Sequence, residues 1–412
     1  MSRTKIGLLL KPLYFIIIIA ISFGGNYHIG DTTPRQIVAV LMFVLCLLNF
    51  NTIKSYYNRI VGLYAIYLFF VFISAYYDDS QSVFVRNLAA QHLVALTSYG
   101  AVAYYYTRFK SFDAIIVAFL FCGIINMAVC FLQYFGNPLG FQLGLLFIDE
   151  NEISANRHME KLMEGTGSYL LGMRGDAVHN GYFQMIMPFF LVYIHYKYIL
   201  FAKASFIRDL IYYCFLTMLF VVVLLIQERS CILFCLGSYI FYLLFRFASL
   251  SVSKRILVGI LTGFVLICGL YLLLPLISEY IGKSRFVDHD NSIREYLFSN
   301  TLNFISEHPF LGGMSSFVRM NGFPPHNIFL NAFVEAGICG FILSLCIYIK
   351  QMKTSFKLNN ARRVSLIAFA FIAYMLNSLL HNDSILSGDV VAWILWAMVF
   401  SLSKNKIDEA FK

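Results

Sequence analysis

Four side chains in this 412-residue sequence are of types that can work together: His326, Arg229, Arg294 and Arg174. His326 closes the run "GFPPHN", where Pro324 and Pro325 stiffen the backbone just before an apolar helix is due to start. The imidazole is therefore expected on a rigid support at a membrane surface. A neutral imidazole accepts a proton from a hydroxyl near neutral pH, and guanidinium groups hold a diphosphate bidentately while its charge grows as it leaves. Together they suit glycosyl transfer: a sugar hydroxyl attacks the anomeric carbon of a lipid-diphosphate-linked glycan, with inversion for a single displacement. The arginines supply the positive charge the leaving group needs, so no cofactor or metal is expected.

Each residue also has a plainer reading. Arg229 lies in "QERS" (227–230), a short turn between two apolar runs, where burying an unpaired guanidinium is costly; its partner is either Glu228 or a phosphate from outside. Arg294 opens the polar stretch "NSIREYLFSNTLNFISEHPFLGG" (291–313), whose apolar spacing predicts an amphipathic helix stopped by Pro309 and the glycines, lying along a leaflet. It either faces the cavity of Arg229 or snorkels to water. Arg174 sits in "GTGSYLLGMRGDAVHNGYF" (165–183) and reads as an anion ligand or as half of a loop salt bridge; the segment lacks the glycine patterns of nucleotide-binding loops. His326 itself could be a structural helix-start histidine. His289, His308 and His326 with Asp288 and Asp290 offer metal donors, but without helical metal-ligand spacing.

The elements that must position these residues are membrane helices. Hydrophobic residues make up 59% of the chain and charged residues 13%, with mean hydropathy +0.72, which excludes an ordinary soluble domain. Apolar runs fall at 7–24, 36–50, 60–76, 88–106, 113–135, 181–199, 209–227, 231–249, 256–274, 327–349, 364–380 and 390–403. This predicts an all-α, polytopic integral membrane protein with about 12 transmembrane helices and two large periplasmic loops. The expected order is helices one to five over 1–135, a loop over 136–180, helices six to nine over 181–274, the larger loop with its amphipathic helix over 275–326, and helices ten to twelve with a tail over 327–412.

Net charge is +9 and the isoelectric point about 9.0, but the basic residues report topology and no nucleic-acid partner is expected. Most of them (Arg3 to Lys11, Lys54 and Arg59, Arg108 and Lys110, Lys197 to Arg208, Arg246 to Arg255, Lys350 to Arg363, Lys404 to Lys412) fall on one side if the N-terminus is cytoplasmic. Both termini are therefore predicted in the cytoplasm and the histidine on the outer face. No cleavable signal peptide is evident. All nine cysteines lie in or beside apolar runs and read as small core residues. His92, inside a span, reads as a helix-packing hydrogen bond, and Asp78 and Asp79 as solvated. In the last outer loop, "HNDSILSGD" (381–389), one aspartate is a candidate to orient His326.

Between 225 and 345 the chain resembles the O-antigen ligase and polymerase superfamily. The resemblance rests on Arg229 between adjoining spans, Arg294 ahead of an amphipathic helix, the turn Pro309 to Gly312, His326 with Asn327, and Glu335, Gly337 and Gly340. A more distant likeness covers Arg174. Glu228 departs from the small polar residue commoner at its position. The resemblance implies His326 as catalytic base, Arg229, Arg294 and Arg174 as diphosphate ligands, and Asn327 and Glu335 in support. It implies an undecaprenyl-diphosphate-linked oligosaccharide donor, membrane lipid around the protein, and placement in the bacterial inner membrane with a periplasmic active site. Two outer loops able to hold two glycans favour a polymerase, with a chain-length regulator as a possible partner; the alternative is a ligase to lipid A-core. A flippase would show ionisable residues inside spans and repeats relating the two halves. Neither is evident, and the reactive residues gather at one face.

Overall fold

The structure is a computed structural model that describes residues 3–23, 33–57, 59–78, 82–148, 153–164, 170–174, 177–196, 206–226, 228–248, 291–358, 364–381 and 384–410. Among these residues there are helices and turns but no strand, as expected for a chain whose backbone must satisfy itself in lipid. In order the helices are α1 (Arg3–Phe23), α2 (Pro34–Leu48), α3 (Phe50–Ile53), α4 (Arg59–Tyr77), α5 (Ser82–Phe109), α6 (Asp113–Tyr134), α7 (Pro138–Leu145), α8 (Ile153–Met163), α9 (Ala177–Met185) and α10 (Met187–Ile194). There follow α11 (Phe206–Leu225), α12 (Arg229–Ala248), α13 (Asn291–Glu307), α14 (Met314–Asn321), α15 (Ile328–Lys357), α16 (Val364–Asn377) and α17 (Val390–Ala410).

Every apolar run read from the sequence contains described helix except 256–274, which lies outside the described residues with the first part of the large loop, 275–290, as do the ends of some other runs (24, 197–199, 227 and 249). Four helices are long and apolar enough to cross a membrane: Arg59–Tyr77, Asp113–Tyr134, Ile207–Leu225 and Ile328–Lys357. The run at 36–50 turns by 82° between Pro34–Leu48 and Phe50–Tyr56, and Leu9–Phe23, Ser230–Leu244, Ser365–Asn377 and Val390–Lys404 are shorter apolar helices. The run at 181–199 is divided between α9 and α10, with Pro188 in the first turn of the second.

Hydrophobic residues on every side of a helix mean burial on every side, and α16 and α17 show it. Trp393 and Trp396 are wholly buried, and Trp393 packs against Tyr64 (ring centroids 4.7 Å) and Tyr99 (5.5 Å). Around this centre α4 packs on α15, α5 on α17 and α2, α1 on α6, and α12 on α16. Outer helices turn apolar side chains outward as well, Ile37, Val40, Val44 and Leu47 on α2 and Leu233, Ile240 and Leu244 on α12, a lipid-facing surface. His92 is buried and bonded to the Tyr64 hydroxyl, the packing role expected of it.

The helix carrying "EAGICG" is broken. Ala336 (φ −144°, ψ 21°) and Gly337 (φ 61°, ψ −156°) leave the helical region, which frees backbone groups at a depth where water is scarce. The segment 309–313, "PFLGG", fills the break: the Ile338 amide donates to the Pro309 carbonyl (3.0 Å) and the Gly313 amide donates to the Val334 carbonyl (2.7 Å). A side chain at Gly337 would collide with the Phe310 backbone, and its positive φ favours glycine anyway. The two glycine-bearing motifs are thus halves of one joint.

The same joint anchors the outer segment. On α13, Leu297, Thr301 and Phe304 form a buried stripe, and Phe304 packs with Met314, Phe317 and Val334, while Tyr296, Phe298 and Leu302 stay exposed. Asp78, expected to be solvated, instead caps α14: it accepts from the amides of Ser315 (2.7 Å) and Ser316 (3.1 Å) and from the Ser316 hydroxyl. Burial of two orphan amides at a helix start explains the difference.

Candidate active site

His326 stands exposed in the turn before α15, on a support pinned at three points. Asn327 is the N-cap, its side-chain oxygen accepting from the amides of Phe329 (2.9 Å) and Leu330 (3.2 Å). Its amide nitrogen donates to the Leu379 carbonyl (2.8 Å), and the Ile328 amide donates to the Ser378 carbonyl (3.2 Å). The start of α15 is thereby sewn to the end of α16. Glu335, one residue before the break, takes bonds from Asn331 (2.9 Å) and from the Tyr67 hydroxyl, tying α15 to α4. Both side chains hold helix ends or neighbouring helices together.

Sewing these helix ends together brings His381 beside His326, with ring centroids 6.2 Å apart at 70°. His381 is buried, and its Nε2 lies 3.0 Å from Glu228 Oε1 and 2.9 Å from Ser230 Oγ. Glu228, also buried, is thus engaged by His381 and Ser230; the side chain of Arg229, for which it was a candidate partner, lies outside the described residues. Arg294 is likewise described only as backbone in α13. Of the aspartates considered for orienting His326, Asp383 lies outside the described residues, and Asp389 accepts from the Tyr374 hydroxyl and the Ala392 amide, both at 2.7 Å. Among the described residues of 381–389, the ring beside His326 is that of His381.

Arg174 sits at the end of a clamped loop. Asn126, Gln133 and Asn180 bind the backbone of 170–173: Met173 N to Asn126 Oδ1 2.8 Å, Gly172 N to Gln133 Oε1 3.0 Å, and Asn180 Nδ2 to the Leu170 carbonyl 2.8 Å. Gly172, at φ +56°, fits against Asn126 and Asn180 where a Cβ would not. So mounted, Arg174 donates to the Ser22 carbonyl at the end of α1 and lies 5.1 Å from the Phe183 ring centroid. No carboxylate pairs with it among the described residues, and Asp176 lies outside them.

The sequence reading missed Arg35. It donates to the Ile21 carbonyl (3.2 Å), next to the carbonyl that Arg174 takes, and it interacts electrostatically with Arg174, Asp389 and Tyr374. The Nε atoms of both arginines are buried without a hydrogen-bond partner among the described residues. Two guanidinium groups with donors to spare make a place for an anion. A local signal existed: a cation in the first turn of a helix opposes the macrodipole, which invites a search for what it serves. Tyr374 packs against Tyr182 with the rings tilted by 55° and centroids 4.6 Å apart, and Tyr182 stands 6.0 Å from His381, so an aromatic ridge joins the arginine pair to the histidines.

No curated protein matches the chain. Residues 214–345 match a family model described as O-antigen ligase, under half of the chain but the part holding Glu228, Arg229, Arg294, His326 and Glu335. That match supports a glycosyltransferase-like enzyme, of O-antigen ligase or polymerase type, acting in surface polysaccharide synthesis on lipid-linked substrates at a membrane. The match takes in all of 225–345, the stretch that resembles the O-antigen ligase and polymerase superfamily, and supports that superfamily there.

Proposed function

We propose that the protein is an O-antigen polymerase of the bacterial inner membrane, with about twelve spans, both termini in the cytoplasm and the site on the periplasmic face. It transfers a glycan from undecaprenyl diphosphate onto a lipid-linked repeat unit. The observation that carries the reading is an exposed histidine, rigidly held at a helix start, inside the segment matching the O-antigen ligase family. His326 takes the proton of the acceptor hydroxyl. The acceptor oxygen bonds to the anomeric carbon as the bond from that carbon to the diphosphate breaks, and undecaprenyl diphosphate leaves with the electron pair. Arg174, joined by Arg35, and Arg229 and Arg294 hold the diphosphate as its charge rises. The polymerase reading draws support from two outer segments with helices of their own, α8 in one and α13 with α14 in the other, which suit two glycan chains.

The matching family, described as O-antigen ligase, favours a second reading, in which the protein is a ligase and lipid A-core the acceptor of the finished chain. Lipopolysaccharide banding from a host lacking the gene, complemented with wild type or His326→Ala at equal membrane abundance, separates the two. A full ladder with wild type and core bearing one repeat with the variant is the polymerase result. Bare core with accumulating lipid-linked polymer is the ligase result, and an unchanged ladder removes His326 from the chemistry.

A further inference from the structure

The pair of buried residues behind His326 has no part in the chemistry so far, yet its composition is expensive. A buried carboxylate beside a buried imidazole is commonly less stable than apolar side chains of the same size, so packing alone does not account for Glu228 and His381. We propose that His381, fixed by Glu228 and Ser230, is a positioning residue for His326: it orients that ring and passes on the field of the Glu228 carboxylate, which steadies the positive charge His326 acquires with the acceptor's proton. The inference rests on the reading of His326 as the base.

Three observations support it. The His381 Nε2 faces a carboxylate oxygen and a hydroxyl at bonding distance, which sets the proton on Nε2 for donation to Glu228 and leaves the rest of the ring toward its other neighbours. One of those neighbours is His326, whose ring is edge-to-face with it. The three contributors come from separate parts of the chain: the turn before α12, the end of α16 and the turn before α15. Among the described side chains, the titratable groups around His381 are Glu228, with Cys231 beside it, from the α12 side, His326 from the α15 side, and Tyr182 from α9, backed by Tyr374. The positive charge that His326 gains with the acceptor's proton thus arises close to a buried carboxylate of opposite sign, which favours the transfer.

The test is a pH–rate profile. Spheroplasts of a host lacking the gene, using their own lipid-linked repeats and carrying the full-length protein, are pulsed with labelled sugar while medium pH is stepped from about 5.5 to about 9. The rate is taken per mole of protein in the membrane. A base must be neutral to act, so the rate rises with pH through the His326 midpoint. Removing a nearby negative charge makes imidazolium harder to form and moves that midpoint down. Glu228→Gln should lower it by roughly half a unit to one unit and cut the plateau about tenfold or more, while Glu228→Asp keeps the wild-type midpoint. His381→Phe, which fills the ring space without relaying the field, should follow Glu228→Gln and provides the same reading if that variant is lost from the membrane. A wild-type midpoint in both variants, whatever their rate per mole, overturns the inference. His326→Ala runs alongside: if it transfers at the wild-type rate, the base assignment itself fails, whereas a silent His326→Ala with unshifted Glu228→Gln and His381→Phe removes only the role of the pair.

Discussion

The two ends of the helical bundle use cations in opposite ways. At the end with the chain's N-terminus, Lys404 rests over the Tyr56 ring at 4.3 Å and donates to Ser55, Arg108 lies over Tyr104 at 5.4 Å, and Lys110 over Tyr106 at 5.5 Å. These are long side chains with stems on apolar surface and heads toward water, satisfied by the protein at little cost. At the histidine end, Arg35 and Arg174 are aimed at neighbouring carbonyls of one helix terminus, and their buried Nε donors find no partner among the described residues. A cation that is content in its surroundings orients a protein in a membrane, and one left partly unsatisfied is kept for something that arrives later.

Breaking the histidine end should cost most. His326→Ala is expected to lower polymer transfer by about 10²- to 10⁴-fold at unchanged abundance, the usual contribution of a general base, read as labelled polymer per mole of protein. Gly337→Val forces a branched side chain into a left-handed position against the Phe310 backbone; a loss of about 3 kcal/mol is expected, seen as a lower melting temperature in detergent and a depleted membrane pool. Arg35→Ala and Arg174→Ala each remove charged donors and should weaken donor use by about 2 kcal/mol, roughly thirtyfold in KM for the lipid-linked repeat, with melting unchanged. Asp78→Ala uncaps α14 and should cost about 1 kcal/mol of stability. Lys404→Ala, at the opposite end, should change stability by only about 0.5 kcal/mol and leave transfer as it was. If Lys404→Ala and Arg174→Ala depress transfer equally, the contrast between the ends is lost.

The helices were legible because a run of some twenty apolar residues has few alternatives in water or lipid, and His326 because two prolines and a helix start flag it locally. Arg174 could be singled out but not mounted: the loop is held by Asn126, Gln133 and Asn180, whose amides carry no sequence mark of what they bind. Glu228 read as a partner for its neighbour Arg229, because adjacency is visible in a sequence and a bond to His381, 153 positions further on, is not. Asp78 looked like an ordinary loop acid for the same reason, its helix lying 237 residues away. The glycine motifs around 309–313 and 337–340 were visible as two patterns; that one plugs the other follows only from where the backbone breaks.

The break in α15 also bears on how the protein is made. The carbonyl and amide that α15 cannot satisfy by itself are met by residues 309–313, which leave the ribosome earlier. During synthesis the strap is already made when the helix that needs it follows, so α15 matures on a template laid down before it. Moving 309–313 to follow α15 in a circularly permuted gene would preserve every contact of the finished fold and yet leave the half-built helix with two bare polar groups in lipid.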